Sequence, residues 1–176
     1  MTEADSVQIM EFRAVTIPLY TEKWQRDLLL RRMNLCCSIY NTLLNDLITR
    51  KQKMTGRPEY MQYKSVIAQT YALAPAERAA YKSTGEYREA LELQSTLFQE
   101  YQLTRYSVIN QAIELSRPYH EILPSRVAHF TVGLSAWNSF HEVLLGAKNG
   151  VKYKKEGDIH TLSSDGRSGI RLLADS

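Results

Sequence analysis

The sequence predicts an α+β chain, mainly α, in which a helical lobe is inserted into a small antiparallel β-module formed by both chain ends. Three observations predict it. Residues 7–19 alternate apolar and polar side chains, the period-two pattern of a half-buried strand. Residues 148–176 hold a basic run, a Ser164-Asp165-Gly166 turn and a β-like Ile170-Arg171-Leu172, which together read as a hairpin. Between them lie more than a hundred residues whose apolar positions recur at three-to-four spacing. Three regions follow: 1–20 opens the β-module, 21–147 is the helical lobe, and 148–176 returns to the module as a basic hairpin.

The elements can be justified in order. Pro18 suits the end of a strand, because proline donates no hydrogen bond to a ladder. Thr21 is placed as the N-cap of a helix over about 22–53, with Glu22 in the first turn where the helix dipole favours a carboxylate. Its stripe comprises Leu28, Leu29, Met33, Cys36, Cys37, Tyr40, Leu43, Leu44, Leu47 and Ile48. Gly56-Arg57-Pro58 breaks the pattern. Further helices are expected over about 60–73 and 75–82. A long helix or a broken pair covers 86–114, with Leu91, Leu97, Phe98, Tyr101, Val108, Ile109, Ala112 and Ile113 inward, and Arg117-Pro118 ends it. A last helix over about 125–145 buries Val127, Phe130, Val132, Leu134, Trp137, Phe140 and Leu144, and Gly146 caps its end.

Composition narrows function. A chain of 176 residues is long enough for one real core. The net charge of +3 is a mild pointer to an anionic partner, and the basic excess sits at the two ends, densest at Lys148, Lys152, Lys154 and Lys155. Eleven tyrosines supply rings that either stack on bases or close a core with a wet edge. Cys36 and Cys37 point about 100° apart on a helix, so they do not bridge each other; they read as two small buried hydrophobes. No apolar leader or membrane-length run is seen, and a cytoplasmic protein with reduced thiols is expected.

Catalytic motifs are not evident. The four histidines are scattered, and HExxH, CxxC, Walker and GxGxxG patterns are missing. Glu86, Glu89 and Glu92 read as a solvated helix face. No metal site, cofactor or catalytic residue is expected, and the chain is read as a non-enzyme.

Ordered motifs carry a resemblance. Ile17-Pro18-Leu19-Tyr20 followed by Thr21-Glu22-Lys23-Trp24-Gln25-Arg26-Asp27-Leu28-Leu29 is similar to a "YPTxEQxxLL" opening. Cys36-Cys37-Ser38-Ile39-Tyr40-Asn41-Thr42-Leu43-Leu44 is similar to "CRFVYNxxL". Leu123-Pro124-Ser125-Arg126-Val127-Ala128-His129 is similar to "LPSQVAQ". Lys152-Tyr153-Lys154-Lys155 and Ser168-Gly169-Ile170-Arg171-Leu172 follow, similar to a "PxFKxK…S…IxL" hairpin. In this order and spacing they resemble the N-terminal part of OrfB/TnpB-type transposon-encoded RNA-guided nucleases, relatives of compact type V CRISPR effectors.

That resemblance implies a wedge-like β-module with an inserted recognition lobe, and guide RNA and double-stranded DNA as partners, held through shape and phosphates. Duplex-motif contacts would come from Tyr60, Ser125, Arg126 and His129. His129 stands where the family has glutamine, so the motif read would differ. Arg13, Lys152, Lys154, Lys155, Arg167 and Arg171 would hold phosphates on the module, and Arg31, Arg32, Lys51, Lys53 and Arg57 would extend that face along the lobe. Tyr153 would stack on a base or ribose. Asn41 would brace the lobe. The family's "GIDxG" aspartate strand and zinc ribbon are missing, so no DNA cleavage by this chain is expected. A competing expectation is a stand-alone helical module or remnant that docks on a protein partner through the aromatics of 60–71 and 98–106. Strand edges of an incomplete β-module would favour self-association.

Overall fold

A computed structural model of the chain describes residues 20–163. Seven α-helical segments follow one another: α1 (Lys23–Thr55), α2 (Pro58–Ala72), α3 (Pro75–Tyr81), α4 (Gly85–Glu100), α5 (Arg105–Ser116), α6 (Ser125–Val127) and α7 (Leu134–Leu144). A 3₁₀ turn, Arg117–Tyr119, follows α5, and a π-helical stretch, Ala128–Gly133, joins α6 to α7 so that 125–144 is one continuous rod. Among the described residues there is no strand.

α1 is the axis, 33 residues and about 50 Å long at 1.5 Å per residue. α5 and the 125–144 rod pack against it and against each other. Their shared core is Cys36, Tyr40, Leu43, Leu44 and Leu47 of α1, Val108 and Ala112 of α5, and Ala128, Val132, Ala136, Phe140 and Leu144 of the rod. The rod's apolar positions at 128, 132, 136, 140 and 144 recur every four residues, which lays them along one face. Gly133 lets α5 and the π stretch approach closely: a Cβ there would lie 3.1 Å from Ile109 Cα. α2 and α4 form a second pair, closed by Tyr63, Val66, Ala90 and Leu97, and joined to the end of α1 through Met54.

Most helix boundaries agree with the periodicity to within two or three residues. The expected long element over 86–114 is the broken pair. Gln102 turns the chain with φ of 53°, buried Leu103 anchors the turn, and the Thr104 hydroxyl accepts from Ser107 N at 3.2 Å to start α5. That break uses neither glycine nor proline. Helix α1 is capped by Glu22 rather than Thr21; Gln25 Oε1 accepts from the Glu22 N–H at 2.9 Å. Leu91, expected inside, is 39% exposed.

The β half of the expected fold is not seen among the described residues. The alternating run 7–19 and the turn and β-like run after 163 lie outside them. The part of the basic hairpin that is described, 148–163, forms no ladder. It is an irregular strap laid along α1, because helix side chains, not a neighbouring strand, take up its backbone groups.

Candidate nucleic-acid interface

The strap is held by a polar stripe on α1. Asn34, Cys37, Asn41 and Asn45 recur at spacings of three, four and four, so they lie one above another beside the apolar face. The Asn41 amide clasps the backbone of Lys154 twice: Nδ2 donates to its carbonyl at 2.7 Å, and Oδ1 accepts from its N–H at 2.9 Å. The Cys37 thiol donates to the carbonyls of Lys154 and Lys155 at 3.1 and 3.2 Å. Tyr40 donates to Ser139 Oγ at 2.8 Å and lies 3.3 Å from the Lys152 carbonyl, tying strap, α1 and α7 at one point. Tyr153 donates its phenol to Asn45 Oδ1 at 2.7 Å, and Asn34 donates to the Glu156 carboxylate. The strap therefore runs antiparallel to α1, from Asn45 towards Asn34. Beyond it, Asp158 accepts from Lys155 N at 2.8 Å, Ile159 is buried in the core, and Thr131 Oγ1 accepts from Ser163 N at 2.7 Å.

This docking sorts the lysines. Lys152 and Lys155 are exposed, and Tyr153 between them is 44% exposed with its hydroxyl fixed. Lys154 is half-buried, its ammonium 4.8 Å from the centroid of the Tyr40 ring. Lys148 pairs with Glu142. Beside the strap, α1 exposes Ser38, Thr42, Asn45 and Thr49, hydroxyls and an amide that oppose no anion.

Burial sets both thiols, Cys36 in the core and Cys37 under the strap. Burial pushes Cys36 up to about 11, against a small opposing pull from Lys154. Cys37 is raised for the same reason, with Asp158 adding to it. Both are free, buried thiols, as their adjacency predicts.

Several expected phosphate contacts have other partners. Arg32 Nε donates to the Ile122 carbonyl at 2.6 Å and fastens the turn before α6 to α1. Arg57 forks onto Glu59 at 3.1 and 3.2 Å and reaches Glu100 at 3.1 Å, tying the α1–α2 corner to the end of α4. Those hydrogen bonds hold the guanidinium firmly charged and draw the Glu59 carboxyl below its ordinary value. Lys51 is half-buried, and burial, with Lys64 nearby, lowers its pKa. Arg31 and Lys53 are exposed. Arg13, Arg167 and Arg171 lie outside the described residues.

The expected duplex contacts separate as well. Tyr60 is in the first turn of α2, half-buried, its ring edge-on to Tyr63 at 5.1 Å: it packs the lobe. His129 is half-buried in the π stretch, stacked on Phe130 at 4.4 Å. Ser125 and Arg126 are exposed at the start of the rod. Asn41 braces the lobe, as the sequence leads one to expect. Asn34, Asn45, Thr131 and Ser139 were not singled out in the sequence; the 34/37/41/45 spacing is the signal that marks the first two.

Among the described residues no group of three His, Cys, Asp or Glu side chains converges as a metal ion requires, and no helix is long and apolar enough to cross a membrane. No protein-family model, curated protein or solved structure matches the chain.

Proposed function

We propose that this chain is a nucleic-acid-binding module, corresponding to the N-terminal portion of a transposon-associated RNA-guided DNA endonuclease, that grips guide RNA and target-adjacent duplex without a catalytic centre of its own. The observation that carries the reading is the strap. Its backbone is bound to α1, while Lys152 and Lys155 are exposed and Tyr153, its hydroxyl on Asn45 of α1, leaves part of its ring exposed between them. An aromatic ring with its hydroxyl pinned, flanked by two exposed ammonium groups, suits single-stranded nucleic acid: the ring stacks on a base and the lysines meet phosphates. Arg31 and Lys53 extend the positive charge along α1, and Ser125 and Arg126 remain the candidates for duplex contact. The motif order described above supplies the family assignment.

Titrating the purified chain against structured RNA and duplex DNA tests this. Micromolar or tighter binding that weakens between about 50 and 200 mM salt is expected. Binding to neither sinks the proposal. In that event the second reading, a protein-docking module, gains weight from the exposed Met61 and Tyr71 on α2 and Tyr106 on α5.

A further inference from the structure

A cleft of about 270 Å³ opens between the strap and the rod, around the π-helical stretch. Its polar lining comes from two elements: Thr131 and Ser135 from the rod, and Lys154, Asp158, His160, Thr161 and Ser163 from the strap. The lining is mixed in sign. A site built for a bare anion would not carry the Asp158 carboxylate, because a like charge opposes binding. A base-stacking slot would sandwich the base between aromatic or apolar walls, and the cleft has one ring, the His160 imidazole, and one apolar side chain, Ile159. The chemistry that does match is a hydroxyl-bearing sugar joined to a phosphate. A ribose hydroxyl both donates and accepts, as Ser135 and Thr161 do, and can donate to Asp158. Lys154, whose ammonium lies over the Tyr40 ring, is the cationic residue of the lining and would turn to meet the phosphate.

We propose that this cleft seats one ribonucleotide of a bound RNA and reads its 2′-hydroxyl, so that the module distinguishes RNA from DNA of the same sequence. The proposal rests on the nucleic-acid reading above and names the sugar it selects. The 2′-hydroxyl is the group by which a protein tells the two apart at a given position. Lys152, Tyr153 and Lys155, on the outer surface, serve either strand alike; the cleft adds the discrimination. Its floor is well held, since Thr131 accepts from Ser163 N and Asp158 accepts from Lys155 N.

Three labelled oligonucleotides of about 12 residues, a length within the range of single-strand sites, give the test: oligouridylate, its deoxy counterpart and its 2′-O-methyl counterpart. The full chain is titrated with each at one salt concentration. Oligouridylate is expected to bind about tenfold tighter than the other two, the scale of one or two hydrogen bonds. The Ser135→Ala, Thr161→Val double variant should lose most of that margin while its affinity for the deoxy strand stays put. Neither hydroxyl clasps the strap, so the fold is kept. Lys152→Ala should weaken all three probes equally. Equal affinity of the native chain for the three probes overturns the sugar-reading cleft and leaves nucleic-acid binding standing. A double variant that weakens every probe alike also overturns it. Binding of none of the probes removes both readings together.

Discussion

The side-chain amide of Asn41 pairs with both backbone groups of Lys154, in the way a neighbouring strand would, and thereby fastens a basic strap to the central helix. The clasp also closes over Cys37, whose thiol donates to the same carbonyl. Asn41→Ala removes both bonds and leaves the Lys154 N–H unpaired and its carbonyl with the Cys37 thiol alone, a loss of about 1–3 kcal/mol in strap docking. The strap should then open locally without unfolding the helices. Cys37 becomes accessible and its pKa falls back towards the ordinary thiol value, so its reaction with a maleimide at neutral pH should speed up by about tenfold or more. Cys36, in the core, should stay protected. An unchanged rate would show that Asn41 does not hold the strap.

Gly133 sits where α5 crosses the π-helical stretch, and an added Cβ would lie 3.1 Å from the Ile109 backbone. Gly133→Ala should therefore destabilise the core by about 1–3 kcal/mol, despite alanine's better helix propensity. Gly85, at the start of α4, has open space around it, and Gly85→Ala should be neutral or slightly stabilising. Thermal unfolding of the two variants side by side checks the contrast.

Arg57 is expected to be structural. Replacing it with alanine frees Glu59 and Glu100 and unties the α1–α2 corner from α4. RNA affinity should be unaffected. The pH dependence of stability gives the positive readout. Glu59 has a folded pKa below its ordinary value of 4.5, through its hydrogen bonds to Arg57. That contribution is present above pH 4.5 and is lost as pH falls through the lower folded value. Arg57→Ala should flatten this acid limb, seen by chemical denaturation across about pH 3–5. A drop in RNA affinity with the acid limb intact would return Arg57 to the interface.

The alkaline limb belongs in part to Cys36. Its folded pKa, about 11, lies above the ordinary 9.0. The neutral thiol therefore favours the folded state below pH 9, and the advantage is lost as pH rises towards 11. Cys36→Ala, slightly less stable at neutral pH from the small void, should lose less stability between those values than the native chain does.

The helices were legible because the apolar side chains of α1 and the 125–144 rod keep a steady three-to-four spacing. The break at Gln102 was not, because a left-handed residue there is enforced by buried Leu103 and the Thr104 cap, with no glycine or proline to announce it. The basic run 152–155 shows what local pattern leaves out. Its place before a turn fits a hairpin strand, but a strand needs a partner, and here the helix supplies one through Asn41, Cys37 and Tyr40. Charge was equally ambiguous. Arg32 and Arg57 look like neighbours of Arg31 and Lys53 on the page, and only three-dimensional packing gives them Ile122, Glu59 and Glu100 as partners.

The salt dependence of RNA binding, compared between the native chain and the Lys152→Ala, Lys155→Ala double variant, bears most directly on the proposed interface. These two exposed lysines flank Tyr153 on the strap. If they meet phosphates, the variant should bind more weakly and the magnitude of its slope of log affinity against log salt should fall by about 1.4, since each contact to a single strand contributes about 0.7. An affinity and slope indistinguishable from those of the native chain would contradict the placement of nucleic acid on the strap.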